Sequence, residues 1–163
     1  MAVRRISNEL SNTISGILED PTGGVIANVK TTSSNITIWD VYIRGPSDTP
    51  YHTPDNKVYH LRITFPTSYP FKPPVIQFMT RVFHPNISDT GVICLDMLKD
   101  NWSPALSIEK LLQSISSLLA APNSSDPLNP DAGNLYTRNI DEYNRTVREY
   151  VRVHTKTCPP QDF

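Results

Sequence analysis

Val58-Tyr59-His60-Leu61-Arg62-Ile63-Thr64-Phe65 alternates without a break: Tyr59, Leu61, Ile63 and Phe65 fall on one side, Val58, His60, Arg62 and Thr64 on the other. A period of two means a strand with one face buried. The same period recurs before it in Ile36–Arg44, which stops at Gly45-Pro46, and shorter runs stand at Val25–Lys30 and Val75–Met79. Short connections between successive strands predict an antiparallel meander of four. His52 to Asn56 reads as a long polar hairpin loop between the second and third strands.

Outside the strands the period changes to helical. Ile6, Leu10, Ile14, Ile17 and Leu18 recur at steps of three and four, which predicts a helix over 3–18 with Arg4, Arg5, Asn8, Glu9 and Asn12 on its polar face. Asp20-Pro21-Thr22-Gly23-Gly24 ends it. On the far side, Ile108, Leu111, Leu112, Ile115, Leu118 and Leu119 make a wide apolar face on a central helix, with Ser107 as its cap and Pro122 as its stop. A short helix over Asp131–Thr137 and a last one over Asp141–Lys156 follow, and the tail from Cys158-Pro159-Pro160 is expected to fray. The fold class is α+β in a single domain, 1–157, followed by a short tail, 158–163.

The totals narrow the function. Fifteen basic against sixteen acidic residues, a net charge of −1, disfavour a nucleic-acid binder. Two cysteines do not make a disulfide framework, and no apolar run approaches a membrane span. The first ten residues lack the apolar core of a secretory signal, so a soluble chain of the cytoplasm or nucleus is expected. Fifteen prolines, interleaved with Tyr69, Phe71 and Phe78, indicate loops that must hold a shape.

Between the fourth strand and the central helix, Thr80–Ala105 shows no long period, and long irregular stretches tend to be functional. It contains His84-Pro85-Asn86-Ile87-Ser88-Asp89-Thr90-Gly91-Val92-Ile93-Cys94-Leu95-Asp96. Cys94 reads either as a small buried side chain or as a nucleophile. A protease-like dyad would need a histidine base, and His84, on the same loop beside Pro85, fits a turn brace better. Zinc would need ligands the neighbourhood does not supply. Without a base, sulfur chemistry must start from an activated acyl group, and thioester exchange fits. Asn86 is then either an oxyanion donor or a turn brace. Asp126 reads either as a carboxylate that orients or deprotonates an incoming lysine or as a turn residue before Pro127, and Asp96 either as a loop carboxylate near the sulfur or as a solvated charge. Phe71, on its proline-stiffened loop, is either a partner-binding knob or a loop staple, and Trp102 either core or contact surface.

Tyr69-Pro70-Phe71-Lys72-Pro73-Pro74, His84-Pro85-Asn86, Gly91-x-Ile93-Cys94-Leu95 and Trp102-Ser103-Pro104-Ala105, in this order, resemble the ubiquitin-conjugating enzymes over essentially the whole chain. The match is closest to their compact class, which works with many ligases. The resemblance implies the family fold: an N-terminal helix, a four-stranded antiparallel meander, a long active-site loop, a central helix and two C-terminal helices. It implies that Cys94 takes ubiquitin from an activating enzyme as a thioester and passes it to a substrate lysine, with a RING-type ligase, or to the cysteine of a HECT-type ligase. By the same likeness Asn86, Asp126 and Asp96 join Cys94 in the catalytic set, and His84 and Pro85 shape the loop. Arg4 and Arg5 dock the activating enzyme; Phe71, Ser103, Pro104 and Ala105 bind ligases. No metal and no cofactor are implied, since ATP is used by the activating enzyme, and a monomer is expected. Another ubiquitin-like modifier, or a non-catalytic binder of the same fold, is the alternative. Two departures stand out. Pro50-Tyr51 runs into His52-Thr53-Pro54-Asp55-Asn56-Lys57 where the family carries a Gly-Gly, and Asn8 replaces a basic residue of the first helix.

Overall fold

The computed structural model describes residues 1–32 and 34–163. Among these, helix α1 (Ala2–Glu19) is followed by strands β1 (Ile26–Thr32), β2 (Asn35–Ile43), β3 (Lys57–Thr64) and β4 (Val75–Phe78). Helices α2 (Ile108–Ala120), α3 (Pro130–Arg138) and α4 (Ile140–His154) come next, and a two-residue strand β5 (Lys156–Thr157) follows. The sheet order is β1-β2-β3-β4 with every neighbour antiparallel, the meander expected from the strand pattern.

The alternation in β2 and β3 sorts the two faces. Trp39, Val41 and Ile43 pair with Ile63, Leu61 and Tyr59 on the inner face, and all six are buried in the main core. That core also takes Ile6 and Ile17 from α1, Leu111, Leu112 and Ile115 from α2, and Tyr143 and Val147 from α4. Burying these side chains is the main source of stability, at about 1.5–3 kcal/mol for each large apolar side chain. On the outer face Asp40 pairs with Arg62 and Tyr42 with His60.

Three expectations need correction. Glu9 does not lie on a polar surface: it is 5% exposed. Its Oε2 accepts the Ile108 N–H at 3.1 Å, capping α2 from another helix, while Oε1 accepts from Arg5 at 3.0 Å. Leu18, assigned to the apolar face, is exposed, because Ile17 takes the core position at the end of α1. The segment from Cys158 does not fray. Lys156 and Thr157 pair with Val58 and Lys57, and the Cys158 N–H donates to the Asn56 carbonyl at 2.7 Å.

The 46–56 connection is anchored by polar contacts that its composition does not announce. The Thr53 hydroxyl accepts the Gly45 N–H at 3.0 Å, and the Tyr59 hydroxyl donates to the Tyr51 carbonyl at 2.8 Å. Asp48 and Asp55 take left-handed φ of 60° and 44°, a conformation aspartate tolerates through local hydrogen bonding.

Candidate active site and docking surface

The stretch around Cys94 is a closed loop, not a string of turns. Ile87 bridges Ile93, and Val92 bridges Gln77 of β4. The Phe78 N–H donates to the Gly91 carbonyl at 2.9 Å, so the loop extends the sheet edge. Gly91 has φ of +89°, and a Cβ there would stand 1.9 Å from the Phe78 carbonyl oxygen. Only glycine permits this approach.

Cys94 follows the second half of this loop, half-buried, with its N–H donating to the Asn86 carbonyl at 2.9 Å. The Asn86 side chain itself turns away from the sulfur's own loop. Its Nδ2–H donates to the Asn123 carbonyl at 2.6 Å and its Oδ1 accepts the Asn123 N–H at 2.8 Å. A second pin joins the same two segments: the Asn129 N–H donates to the Pro85 carbonyl at 3.1 Å. The 122–129 loop is therefore fastened to the Cys94 loop at both ends, and Asp126 lies exposed between the fastenings.

His84 is fully buried. Its Nδ1 accepts the Asn86 N–H at 2.9 Å, so the proton sits on Nε2, which donates to the Leu118 carbonyl at 2.8 Å. Both ring nitrogens are occupied, and burial pushes the imidazole pKa down to about 4. The ring ties the loop to α2 in one neutral tautomer and has no nitrogen free to take a proton from Cys94. Pro85 is buried beside it. Asp96 is exposed and opens a single 3-10 turn, Asp96–Leu98. That turn brings Lys99 back over the sulfur, with Nζ 3.8 Å from Sγ. Sequence reasoning passed over Lys99; its signal was the step of five from Cys94 across a short turn.

A second cluster gathers residues far apart in sequence. Phe71 is 66% exposed on the loop between β3 and β4. Trp102 is half-buried and donates its Nε1–H to the Pro70 carbonyl at 3.1 Å, fastening the Ser103–Ala105 loop to the Phe71 loop. From α1, the Arg5 guanidinium donates to the carbonyls of Pro104 at 2.8 Å and Leu106 at 3.3 Å and lies over the Tyr69 ring. Arg5 is thus engaged within the chain, whereas Arg4 faces solvent. Pro104 and Ala105 are exposed and Ser103 half-exposed. Between the start of α1 and the 65–71 segment runs a groove lined by Val3, Ile6, Phe65 and Phe71.

This arrangement supplies a semi-exposed thiol on a rigid loop, a braced neighbouring loop with a carboxylate, and an apolar, proline-rich surface built from three segments. A sequence model described as ubiquitin-conjugating enzyme matches residues 5–151, which spans the helix, the sheet, the thiol loop and most of α4. The chain belongs to the ubiquitin-conjugating enzyme family.

Proposed function

We propose that the protein carries ubiquitin as a thioester on Cys94 and delivers it to a lysine or to a ligase cysteine. The observation that carries the reading is the pairing of a semi-exposed Cys94 with a histidine held neutral and doubly hydrogen-bonded. A thiol whose loop histidine cannot act as its base is poorly equipped to open an amide, but its thiolate can exchange with an existing thioester, where one C–S bond forms as another breaks. The thiolate of the activating enzyme leaves, and no cofactor enters the step at this chain. Free thiols suit the cytoplasm or nucleus.

In the second half-reaction an amine nitrogen attacks the thioester carbonyl, the C–N bond forms, and the Cys94 thiolate leaves. The attacking ammonium must first lose a proton. Asp126, exposed on a loop pinned at Asn123 and Asn129, is the carboxylate proposed to orient or deprotonate it. Asn86 acts by holding that loop in place. Asp96, exposed two residues after Cys94, is proposed to add negative charge near the sulfur. Arg4 is proposed to meet the activating enzyme, and Phe71 with Ser103–Ala105 the ligases.

Charging with purified activating enzyme, ATP and ubiquitin should give a band that survives non-reducing gels and vanishes with thiol. Cys94→Ser should leave a thiol-resistant ester. Charging of Cys94→Ala would sink the reading, and preference for another modifier and its own activating enzyme would replace the cargo. Asp126→Ala should slow discharge to free lysine at least tenfold more than discharge to free cysteine; equal slowing would make Asp126 a structural residue.

A further inference from the structure

The outer face of the sheet holds a small apolar cluster apart from the main core: Ala27, Tyr42 and Val58, completed by Cys158. Beside it, Asn28 is 0% exposed although it sits on the sheet's outer face, opposite Tyr42. A buried amide must find partners. Its Oδ1 accepts the Val29 N–H at 2.9 Å, and its Nδ2 donates to the carbonyls of Pro159 at 3.0 Å and Pro160 at 3.3 Å. Gln161 then donates to the Ala27 carbonyl at 3.3 Å, and Asp162 pairs with Lys30 at 2.9 Å. Residues 158–162 are thus all held by β1 or its neighbours, with Pro159 and Pro160 sharing the Asn28 amide.

We propose that this face is a groove for an extended, proline-bearing, acidic peptide segment, and that residues 156–163 are its resident, displaceable occupant. The chemistry of the groove is selective. Prolines bring carbonyls to Asn28 without a backbone N–H that would need its own acceptor. A small side chain fits among Ala27, Tyr42 and Val58, and a carboxylate reaches Lys30. The hold is mostly polar: two ladder residues, the hydrogen bonds through Asn28, Gln161 and the Cys158 N–H, one small apolar contact and an exposed ion pair, and a segment with so little apolar burial is one that opens locally. The segment lies outside the main core, whose buried residues end at Val151, the residue where the family match also ends. A segment of like chemistry arriving in trans would take the same contacts once residues 156–163 lift.

The test uses the full chain with Cys158→Asp, which sets a carboxylate against the apolar cluster and expels the segment. A fluorescent peptide with the sequence of residues 155–163, kept reduced, is titrated and read by anisotropy. The C158D chain should bind it saturably and at least tenfold more tightly than wild type, with a scrambled peptide much weaker. Adding Asn28→Ala should remove the gain. Asp162→Lys, an exposed change that leaves the core untouched, should also open the groove partly, and Lys30→Glu in addition should close it again on the chain's own segment. Equal binding to wild type and C158D, no binding to either, or backbone amides of 156–158 that stay protected from hydrogen exchange in C158D would each overturn the proposal.

Discussion

Asn86 and Asn123 exchange two hydrogen bonds, and both join the Asn86 side chain to the Asn123 main chain: Nδ2–H donates to the carbonyl and Oδ1 accepts the N–H. The amide beside the thiol is therefore spent on joining two loops, and the identity of residue 123 matters less than its backbone. Asn86→Ala removes both bonds to the part-buried Asn123 N–H and C=O and should cost roughly 2 kcal/mol, at about 1 kcal/mol per hydrogen bond lost. Asn123→Ala keeps both bonds and should stay within about 1 kcal/mol of wild type. Urea unfolding of the two variants, beside lysine discharge from the charged enzyme, separates the roles. Slow discharge in an Asn86→Ala protein of normal stability would point to direct action on the reacting carbonyl.

His84 makes stability depend on pH in a defined direction. Its pKa is pushed down to about 4 in the folded chain by burial, against an ordinary value near 6.5. Between those values the unfolded chain binds the proton and the folded chain does not. The stabilisation is complete above about pH 6.5 and is lost as pH falls towards 4, by roughly 3 kcal/mol in total. The unfolding midpoint of wild type should fall through this window, and His84→Gln should flatten the His84 share of the slope. An unchanged slope would mean that the imidazole is protonated in the folded chain.

Arg4 and Arg5 are neighbours in sequence with opposite surroundings. Arg5 bonds Glu9 and the carbonyls of Pro104 and Leu106, so Arg5→Ala should cost about 1–3 kcal/mol and loosen the Ser103–Ala105 loop. Arg4→Ala should leave stability within about 0.5 kcal/mol yet slow charging when the activating enzyme is limiting. Thermal melts and charging rates for the pair decide it; an Arg4→Ala protein that charges normally removes Arg4 from docking.

Gly91 and Gly24 offer a matched contrast. At Gly91 a Cβ would collide with the Phe78 carbonyl at 1.9 Å and the backbone is left-handed, whereas at Gly24 the nearest atom is 3.7 Å away. Gly91→Ala should cost about 3 kcal/mol or more, or prevent folding, while Gly24→Ala stays within about 1 kcal/mol. Soluble yield and urea midpoints report both. A stable, active Gly91→Ala protein would show that the thiol loop can leave the β4 edge without loss.

The order of the main elements, the inner face of the sheet and the position of the thiol follow from local pattern along the chain. Tyr59, Leu61 and Ile63 announce a buried strand face because side chains alternate every residue, and Ser107 announces the start of α2 because its hydroxyl caps the Lys110 N–H. These are local properties, set by backbone geometry within a few residues. Which polar residues are spent on structure depends instead on partners distant in the chain. Glu9 and Arg5 read as an ordinary helix-surface pair until α2 and the 103–106 loop arrive to take their hydrogen bonds. His84 was a possible base until Leu118 and Asn86 filled both nitrogens. Asn28 and the segment from Cys158 carry no shared pattern, because their contact spans some 130 residues and depends on carbonyls that every residue possesses. The thiol of Cys94 was legible from its neighbours in the chain; its rigid setting, with the loop histidine spent on structure, comes from partners that only folding brings to it.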